Sequence, residues 1–328
     1  MAETILVIAE QREGKLNRVS FETLAGAQAL AKQTGWAVEA ALVGSSESLS
    51  SPVDEIAKTA VAKVYAIEGP ALEQYTPDGF VVALKAFIET NKPKLVLLPH
   101  TYQVRDFAPK LAASLGALLV SDAVGAKFDG GKLLFTRPMF QGKFAADVSL
   151  AGDGPWFASF QNGAYRGDQV EMGEGANVEH VVAASGEIRT HPEAPFQAAK
   201  QAVDLSQATI IVSVGRGIKE QKNIAIAQAL ADALGGEIAA SRPICDAGWL
   251  PMERQVGSSG QTVSPKLYLA LGISGAIQHI VGMKGSKNII AINKDAEAPI
   301  FEVADVAVVG NLFDIVPVLT EEVKKAKA

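Results

Sequence analysis

The sequence predicts an α/β protein of two domains, each with a mainly parallel, doubly wound sheet, the first carrying an added antiparallel hairpin region. Short β-branched and apolar runs alternate with helical segments in both halves of the chain, a pattern typical of parallel sheets. The 328 residues are enough for two hydrophobic cores. Little regular pattern occurs between Gly186 and Ser206. We therefore expect an N-terminal α/β domain at 1–188, a linker at 189–207 and a second domain at 208–328.

The composition excludes several classes of function. A net charge of −6 provides no positive field for nucleic acid. The single cysteine, Cys245, excludes an internal disulfide and any thiolate-ligated iron or zinc cluster, so redox chemistry would require an organic cofactor. No apolar run approaches the ~18 residues that span a bilayer, and a strand-like run from Thr4 leaves no room for a signal or transit peptide. We expect a cytoplasmic protein, or a processed mature form as in the mitochondrial matrix, without nucleic-acid binding or membrane insertion.

The elements of the first domain follow from apolar runs and their flanking residues. A strand at 4–9 precedes an alanine-rich helix that Ser20 caps and Gly35 ends. Further strands at 37–43, 63–67 and 95–99 alternate with helices at 77–90 and 104–115.

Around residue 121 the pattern changes to short runs punctuated by glycine. Runs at 123–128, 132–137, 145–150 and 155–160 predict antiparallel hairpins attached to the first sheet. Arg137 and Pro138 indicate a strand edge at which proline prevents further pairing, rather than a catalytic site. His100 follows the fourth strand, where α/β proteins often bind ligands, but with no partner nearby in the sequence it is interpreted as a surface histidine.

The second domain repeats the alternation of strands and helices. Strands are predicted at 209–214, 237–240, 266–270, 288–292 and 305–309, with helices at 223–234 and at the C-terminus. The terminal helix ends in lysines, which complement its dipole.

A glycine turn in this domain carries the first functional prediction. Gly272 and Gly275 follow a buried strand and permit a tight turn into a helix starting near Ser274. The free backbone N–H groups of such a turn, with the positive end of the helix dipole, suit a phosphate. By spacing alone the turn is equally consistent with any strand-to-helix connection in an α/β protein.

Two arginines strengthen the anion-binding interpretation. Gly215-Arg216-Gly217 follows one strand and Arg242 follows the next, so both cations lie at strand ends that line the ligand crevice of such sheets. Glu220 occupies the place of the third glycine of a dinucleotide fingerprint, which weakens an ordinary Rossmann interpretation.

The residues Gly272 to His279, with Ile292-Asn293-Lys294-Asp295 and Ala298-Pro299-Ile300-Phe301, resemble the FAD-binding signature of the electron transfer flavoprotein alpha subunit. The similarity is specific over about 208–322 and includes the Gly-Arg-Gly turn. In the first domain it is looser: Thr136 to Gly142 resembles the family segment Thr-Arg-Pro-Ile-Tyr-Ala-Gly, with departures at Phe140 and Gln141.

The resemblance implies a Rossmann-like FAD-binding second domain and a heterodimer with a beta subunit that often holds AMP. Electrons would pass from acyl-CoA or similar dehydrogenases to an acceptor flavoprotein such as a quinone oxidoreductase. The resemblance also implies a set of FAD contacts: Arg216, Ser241, Arg242, Gln255, Val256, Gly257, Ser258, Ser259, Ser274, Gly275, Ala276, Ile277, Gln278, His279, Asn293, Asn311 and Leu312. Two departures from the family occur: Ser258-Ser259 replaces the commoner Gln-Thr or Gln-Ser, and Asn311 replaces an aspartate at the adenosine end.

A flavin that carries single electrons needs cations and N–H donors near the ring edge where negative charge collects. Arg242 and His279 are the candidates, and the dipole of the helix carrying His279 would disfavour its protonation. We therefore expect flavin reduction and the charge of His279 to be coupled.

Three alternatives remain open at this point. His279 could simply pack against the sheet, and Gln278 could simply lie on a polar face of the helix. Alternatively, the domain could serve an NAD-dependent enzyme. The chain could also be an interaction subunit with a vestigial nucleotide fold. No nucleophile–base pair favours an enzyme, and the retained set around Arg216 and His279 disfavours the third alternative. The sequence therefore predicts an electron carrier without substrate turnover of its own.

Overall fold

The computed structural model describes residues 3–140, 142–193 and 204–327. The chain divides into two compact units, Met1–Pro195 and Phe196–Ala328. Both contain a parallel sheet with helices, which confirms the predicted fold class. Residues 194–203 of the predicted linker, and Gln141, lie outside the described residues.

A seven-stranded parallel sheet forms the first unit. Its strand order is β12-β5-β4-β1-β6-β11-β7, and every neighbouring pair is parallel. The strands of this sheet are β1 (Thr4–Ile8), β4 (Ala37–Gly44), β5 (Lys63–Glu68), β6 (Leu95–Pro99), β7 (Leu119–Ala123), β11 (Trp156–Phe160) and β12 (Asn177–Val182). Its helices are α1 (Arg18–Thr34), α2 (Ser46–Ala57), α3 (Pro77–Asn91) and α4 (Tyr102–Ser114). A two-stranded pair, β2 (Gln11–Arg12) and β3 (Lys15–Leu16), follows β1.

The predicted hairpin region is an antiparallel sheet of three strands, β8 (Gly125–Asp129), β9 (Lys132–Met139) and β10 (Phe144–Ser149). The prediction of a fourth antiparallel run at 155–160 is wrong, because β11 inserts in parallel between β6 and β7. Pro138 lies on the central strand, not on an edge strand. The pairing of β9 with β8 ends at Thr136, so Pro138 pairs only with Ala145 of β10.

The caps of the first helix differ from the prediction at one end. Asn17, not Ser20, caps α1 by accepting a hydrogen bond from the Val19 N–H. The Ser20 hydroxyl instead accepts from the Glu10 N–H at 2.9 Å. Gly35 ends the helix with φ 75°, as predicted.

The second unit is built on five parallel strands in the order β14-β13-β15-β16-β17. The strands are β13 (Ile210–Val214), β14 (Glu237–Ala240), β15 (Leu267–Leu271), β16 (Ile289–Asn293) and β17 (Val306–Val309). The helices are α5 (Ile224–Leu234), α6 (Arg242–Asp246), α7 (Ile277–Met283) and α8 (Leu312–Lys327).

The strand order places a topological switch point at β13. The next strand along the chain, β14, lies on one side of β13 and β15 lies on the other. Ligands of open parallel sheets bind in the crevice at such a point, outside the carboxyl ends of the strands. Alternate residues of these strands enter two apolar clusters, Val212 and Leu269 on one face and Ile211 and Tyr268 on the other.

The first residues of the predicted linker are held by the first unit, and its last residues pack into the second unit. The Arg189 N–H donates to Asp78 Oδ2 at 2.9 Å in the first unit, and Leu205 is fully buried in the second. In the described ranges, none of the helices has the length and apolarity needed to cross a bilayer.

Candidate functional site

The turn after β13 is packed directly against the turn after β15. The Gly215 N–H donates to the Leu271 carbonyl at 2.9 Å, and the Gly217 N–H donates to the Gly272 carbonyl at 3.0 Å. A Cβ atom on Gly215 would lie 2.4 Å from the Gly272 oxygen, which no side chain can accept. Arg216, between these glycines, is exposed, and its side chain makes no ion pair or hydrogen bond within the described part of the chain. The packing thus holds an unpaired cation at the switch point.

The glycine turn at 272–275 leaves a run of free backbone donors. Gly272 and Gly275 have φ of 62° and 89°, and the Ser274 carbonyl accepts from the Ile300 N–H at 3.1 Å. The prediction of a helix starting near Ser274 is wrong by three residues, because Ala276 is still extended and α7 begins at Ile277. Within the described residues, the N–H groups of 274–278 donate no hydrogen bond. Five consecutive amides therefore remain available to an anion.

Asn293, at the end of β16, fixes this turn. Its Nδ2 donates to the Ile273 carbonyl at 2.9 Å, and its Oδ1 accepts from the Asp295 N–H at 3.1 Å. The side-chain amide is thus engaged in holding the backbone of the turn.

The loop 255–259 is fastened to β14 and α7. The Val256 N–H donates to Ala240 at 2.9 Å, and the Ser258 N–H donates to Gln278 at 2.8 Å. Gly257 packs so tightly on Gly282 that a Cβ atom on Gly282 would lie 2.4 Å from the Gly257 nitrogen. The structure thus brings the loop predicted to contact FAD against the helix that carries Gln278 and His279.

Gln255 has one satisfied and one unsatisfied side-chain atom. The residue is 1% exposed, and its Nε2 donates to the Ser259 hydroxyl at 3.0 Å. Its Oε1 is buried and has no hydrogen-bond partner among the residues that the structure describes. Such a group is costly to bury unless something completes it, so Oε1 is an acceptor available to a ligand.

The two arginines predicted to act together differ in their surroundings. Arg242 pairs with Asp246 one turn along α6, with Nε and Oδ2 3.3 Å apart. Both side chains are more than half exposed, so this pair is weak. Ser241 is buried, and its N–H donates to the Val214 carbonyl at 3.0 Å. Arg216 is the unpaired cation of the two, and Arg242 is partly neutralised.

His279 is 6% exposed, and its Nε2 lies 2.9 Å from the Tyr268 hydroxyl. Burial lowers the pKa of His279 to about 4, although the backbone of Val256 opposes that shift. The direction agrees with the prediction, but burial rather than the helix dipole is the cause. Nδ1 is buried and makes no hydrogen bond of normal geometry in the described ranges. His279 is therefore a neutral side chain with one unused ring nitrogen.

The last two predicted contacts, Asn311 and Leu312, begin α8. The Asn311 Oδ1 accepts from the Phe313 N–H at 3.3 Å and its Nδ2 donates to Asp314 at 2.9 Å. The amide that replaces the family's aspartate thus caps a helix. The Leu312 side chain is buried beneath Gly272 and supports the turn.

Two residues of this region were missed by sequence reasoning, Tyr268 and Ser213. Both face the same side of the sheet as Ile211, and both are fully buried. Their polar atoms are hidden in apolar strand runs, so only the strict alternation of the strand could have indicated a shared face.

His100 in the first unit is not the surface histidine that the sequence predicts. Its side chain is 17% exposed, its Nδ1 lies 2.9 Å from the Ser159 hydroxyl, and its Nε2 lies 3.7 Å from Asp122. Burial lowers the pKa of His100, and the carboxylate of Asp122 partly offsets this effect. Its partner Ser159 is 59 residues away in the sequence, on the parallel strand that was mistaken for a hairpin.

FAD fits the donors and acceptors of the second unit. Free amides at 274–278 and the Arg216 guanidinium suit a diphosphate, and the unsatisfied Gln255 Oε1 and His279 Nδ1 suit polar ring edges. Over the residues described, no group of three or more His, Cys, Asp or Glu side chains could hold a metal ion. The site is suited to an organic anion.

Two family matches cover most of the chain. Residues 204–284 match the electron transfer flavoprotein FAD-binding domain, and residues 5–186 match the electron transfer flavoprotein domain. The chain is 38% identical over 325 residues to the electron transfer flavoprotein subunit alpha of Bacillus subtilis (strain 168), covering 99% of this chain and 98% of the relative.

Two further relatives are similar over nearly their full lengths. The electron transfer flavoprotein subunit alpha of Thermoanaerobacterium thermosaccharolyticum is 40% identical, with 98% of each chain covered. A protein of Anaerotignum propionicum named acryloyl-CoA reductase electron transfer subunit beta is 37% identical, covering 98% of this chain and 96% of the relative. The chain belongs to the electron transfer flavoprotein alpha-subunit family, whose cofactor is FAD.

Proposed function

We propose that this chain is the FAD-holding alpha subunit of a heterodimeric electron carrier, which relays single electrons from an acyl-CoA or similar dehydrogenase to an acceptor flavoprotein such as a quinone oxidoreductase. One observation carries the proposal: five consecutive free amides at 274–278 lie beside the unpaired Arg216 at the switch point. That combination of aligned N–H dipoles and a cation suits the diphosphate of a dinucleotide. The FAD-binding domain then corresponds to 208–328.

Bound FAD supplies the centre that accepts and releases single electrons. The residues of this chain bind and orient it: Arg216 and the amides of 274–278 hold the diphosphate, and the Gln255 Oε1 and Ser259 hydroxyl offer hydrogen bonds. His279 is neutral and presents Nδ1, while Asn293 and Leu312 shape the turn. Arg242, exposed at the end of β14, adds positive charge near the same crevice.

The partner is an electron transfer flavoprotein beta subunit. That subunit would hold AMP, whereas the alpha subunit holds FAD. The name of the acryloyl-CoA reductase subunit describes an electron transfer component, which supports a carrier that serves a separate enzyme. We propose that this chain likewise turns over no substrate of its own and works in the cytoplasm.

The test is the absorption spectrum of the chain co-produced with its beta partner, followed by gentle photoreduction. We expect a flavin spectrum with one FAD per heterodimer and reduction in two one-electron stages. Reduction by an acyl-CoA dehydrogenase with its substrate would identify the donor class. A heterodimer that takes up no added FAD but binds NAD would refute the proposal in favour of an NAD-dependent enzyme.

The Arg216→Gln variant tests the site directly. It should lose FAD affinity but retain the heterodimer, because the exposed Arg216 side chain makes no ion pair or hydrogen bond within the described residues. Unchanged FAD affinity would place the cofactor elsewhere.

A further inference from the structure

We propose that Tyr268 is a positioning residue that holds His279 in the tautomer with the proton on Nδ1, so that His279 serves the site as a neutral hydrogen-bond donor. The inference rests on the proposed function, because it concerns the side chain that faces the FAD-binding loop. It assigns a role to a strand residue that lies beneath the site.

The first step is the contact itself. The Tyr268 oxygen and His279 Nε2 are 2.9 Å apart, and both residues are buried, Tyr268 completely. Water does not reach a fully buried hydroxyl, so the hydroxyl must find its hydrogen-bond partner within the protein. One of the two groups therefore donates and the other accepts, and the tautomer of His279 depends on which.

The second step decides the direction of this bond. Burial raises the pKa of Tyr268, so the phenol keeps its proton. Within the described residues, His279 Nε2 is the hydrogen-bond partner of this O–H, since the neighbouring Ser213 hydroxyl is buried without a hydrogen bond of normal geometry. If Nε2 carried a proton and donated it to the phenol, the buried Tyr268 O–H would be left without an acceptor. The Tyr268 O–H therefore donates to His279 Nε2.

The third step follows from the histidine. A neutral imidazole that accepts at Nε2 carries its proton on Nδ1. Nδ1 is buried, without a hydrogen bond of normal geometry, and near the backbone of Val256 in the loop 255–259. That loop is fastened to α7 by the bond from the Ser258 N–H to Gln278. Tyr268 therefore directs a donor towards the loop that is proposed to contact FAD.

The test is the tautomer of His279, read from long-range 15N–1H spectra of the full chain with labelled histidine rings and no FAD. His279→Gln identifies the signal among the four histidines. We expect wild-type His279 to be protonated on Nδ1. In Tyr268→Phe the proton should move mainly to Nε2, the tautomer that free imidazole side chains prefer.

Tyr65→Phe is the matched control, since Tyr65 is also a buried strand tyrosine but contacts Glu39 in the first unit. It should leave the His279 tautomer unchanged. A wild-type His279 protonated on Nε2, or an unchanged tautomer in Tyr268→Phe, would overturn the inference. Should Tyr268→Phe not fold, the wild-type spectrum decides: a proton on Nδ1 of His279 supports the inference and a proton on Nε2 overturns it.

A second readout uses the FAD-loaded heterodimer. Loss of a neutral donor near the flavin should make the first one-electron potential more negative in Tyr268→Phe and leave it unchanged in Tyr65→Phe. Equal potentials in Tyr268→Phe and wild type would contradict the link to the cofactor. Failure to bind FAD at all would refute the proposed function, whereas the tautomer measurement would still decide the role of Tyr268.

Discussion

The two units use the same sheet architecture but treat the switch point in opposite ways. In the first unit, the carboxyl ends of β1 and β6 are joined because the Thr101 hydroxyl donates to the Glu10 carboxylate. His100 contacts Ser159 and lies near Asp122, and Asp122 also accepts from Gln161 at 3.1 Å. In the second unit, the ends of β13 and β15 are joined by glycine backbone alone.

The difference shows what leaves a sheet edge open to a ligand. The polar side chains of the first edge satisfy one another, so that edge is closed by its own hydrogen bonds. At the second edge the turns after β13 and β15 are joined through the backbone, and Asn293 holds the second of these turns. The amides at 274–278, the Arg216 side chain and Gln255 Oε1 stay unused in the described residues. Topology locates a crevice in both units, and in the second unit that crevice carries a run of free amides and an unpaired cation that suit FAD.

The largest expected effect comes from breaking the glycine backbone of the open edge. Gly275→Ala would place a Cβ atom 2.1 Å from the Ile300 nitrogen at a φ of 89°. Strain and overpacking together should cost the second unit about 3 kcal/mol of unfolding free energy and abolish FAD binding. Urea unfolding and FAD titration measure the two effects.

Gly125→Ala is the control for this substitution. A Cβ atom there meets nothing within 4 Å, so stability and FAD binding should not change. Wild-type stability in Gly275→Ala would show that the turn can relax.

The second effect is the dependence of the second unit's stability on pH. The pKa of His279 is lowered from 6.5 to about 4, so the unfolded chain binds a proton that the native state does not bind between those values. The free energy of unfolding of the second unit should therefore be constant above about pH 6.5 and fall by roughly 3 kcal/mol as the pH drops to about 4. His279→Gln should remove most of this slope in FAD-free protein.

Tryptophan fluorescence can isolate each unit in that experiment. Trp249 belongs to the second unit, whereas Trp36 and Trp156, the other two tryptophans, belong to the first. Replacing Trp36 and Trp156 with Phe therefore leaves a reporter for the second unit alone. A slope that persists in His279→Gln would assign the pH dependence to other groups.

The sequence predicted what depends on local pattern. Strand β14 and strand β6 were placed to the residue, and the glycines of the turn were identified because a positive φ is a property of glycine itself. The helix start was misplaced because the Ser274 carbonyl accepts a hydrogen bond from the distant Ile300 N–H and Ala276 is still extended, which the spacing of residues does not encode.

What the sequence could not predict depends on contacts between distant residues. Ser159 lies 59 residues from His100, and His279 lies 11 residues from Tyr268 across a turn. The serine-rich segment of α2 was also missed, since Ser45 and Ser48 form a capping box without the glutamate that usually marks one.

A third effect concerns the charges of the open edge. Arg216→Gln should weaken FAD binding about 10- to 100-fold, the range for a lost hydrogen bond to a charged group. Arg242→Gln should weaken it less than about fivefold, because Asp246 already pairs with Arg242 and both are exposed. Flavin fluorescence quenching during titration of the FAD-free heterodimer measures both. Equal losses of FAD affinity in the two variants would show that the ion pair between Arg242 and Asp246 breaks when FAD binds.

The smallest effect tests the closed edge. Ser159→Ala removes the hydroxyl that contacts His100 and accepts from the Asp122 N–H at 3.2 Å. The first unit should lose about 1 kcal/mol of unfolding free energy, the net value of a hydrogen bond, as measured by urea unfolding with Trp156 on the same strand as reporter. FAD affinity should stay within about twofold of wild type, because the hydrogen bonds at this edge are internal to the first unit. A loss of FAD affinity larger than that would mean that the closed edge also contributes to the cofactor site, and the contrast between the two edges would then be one of degree.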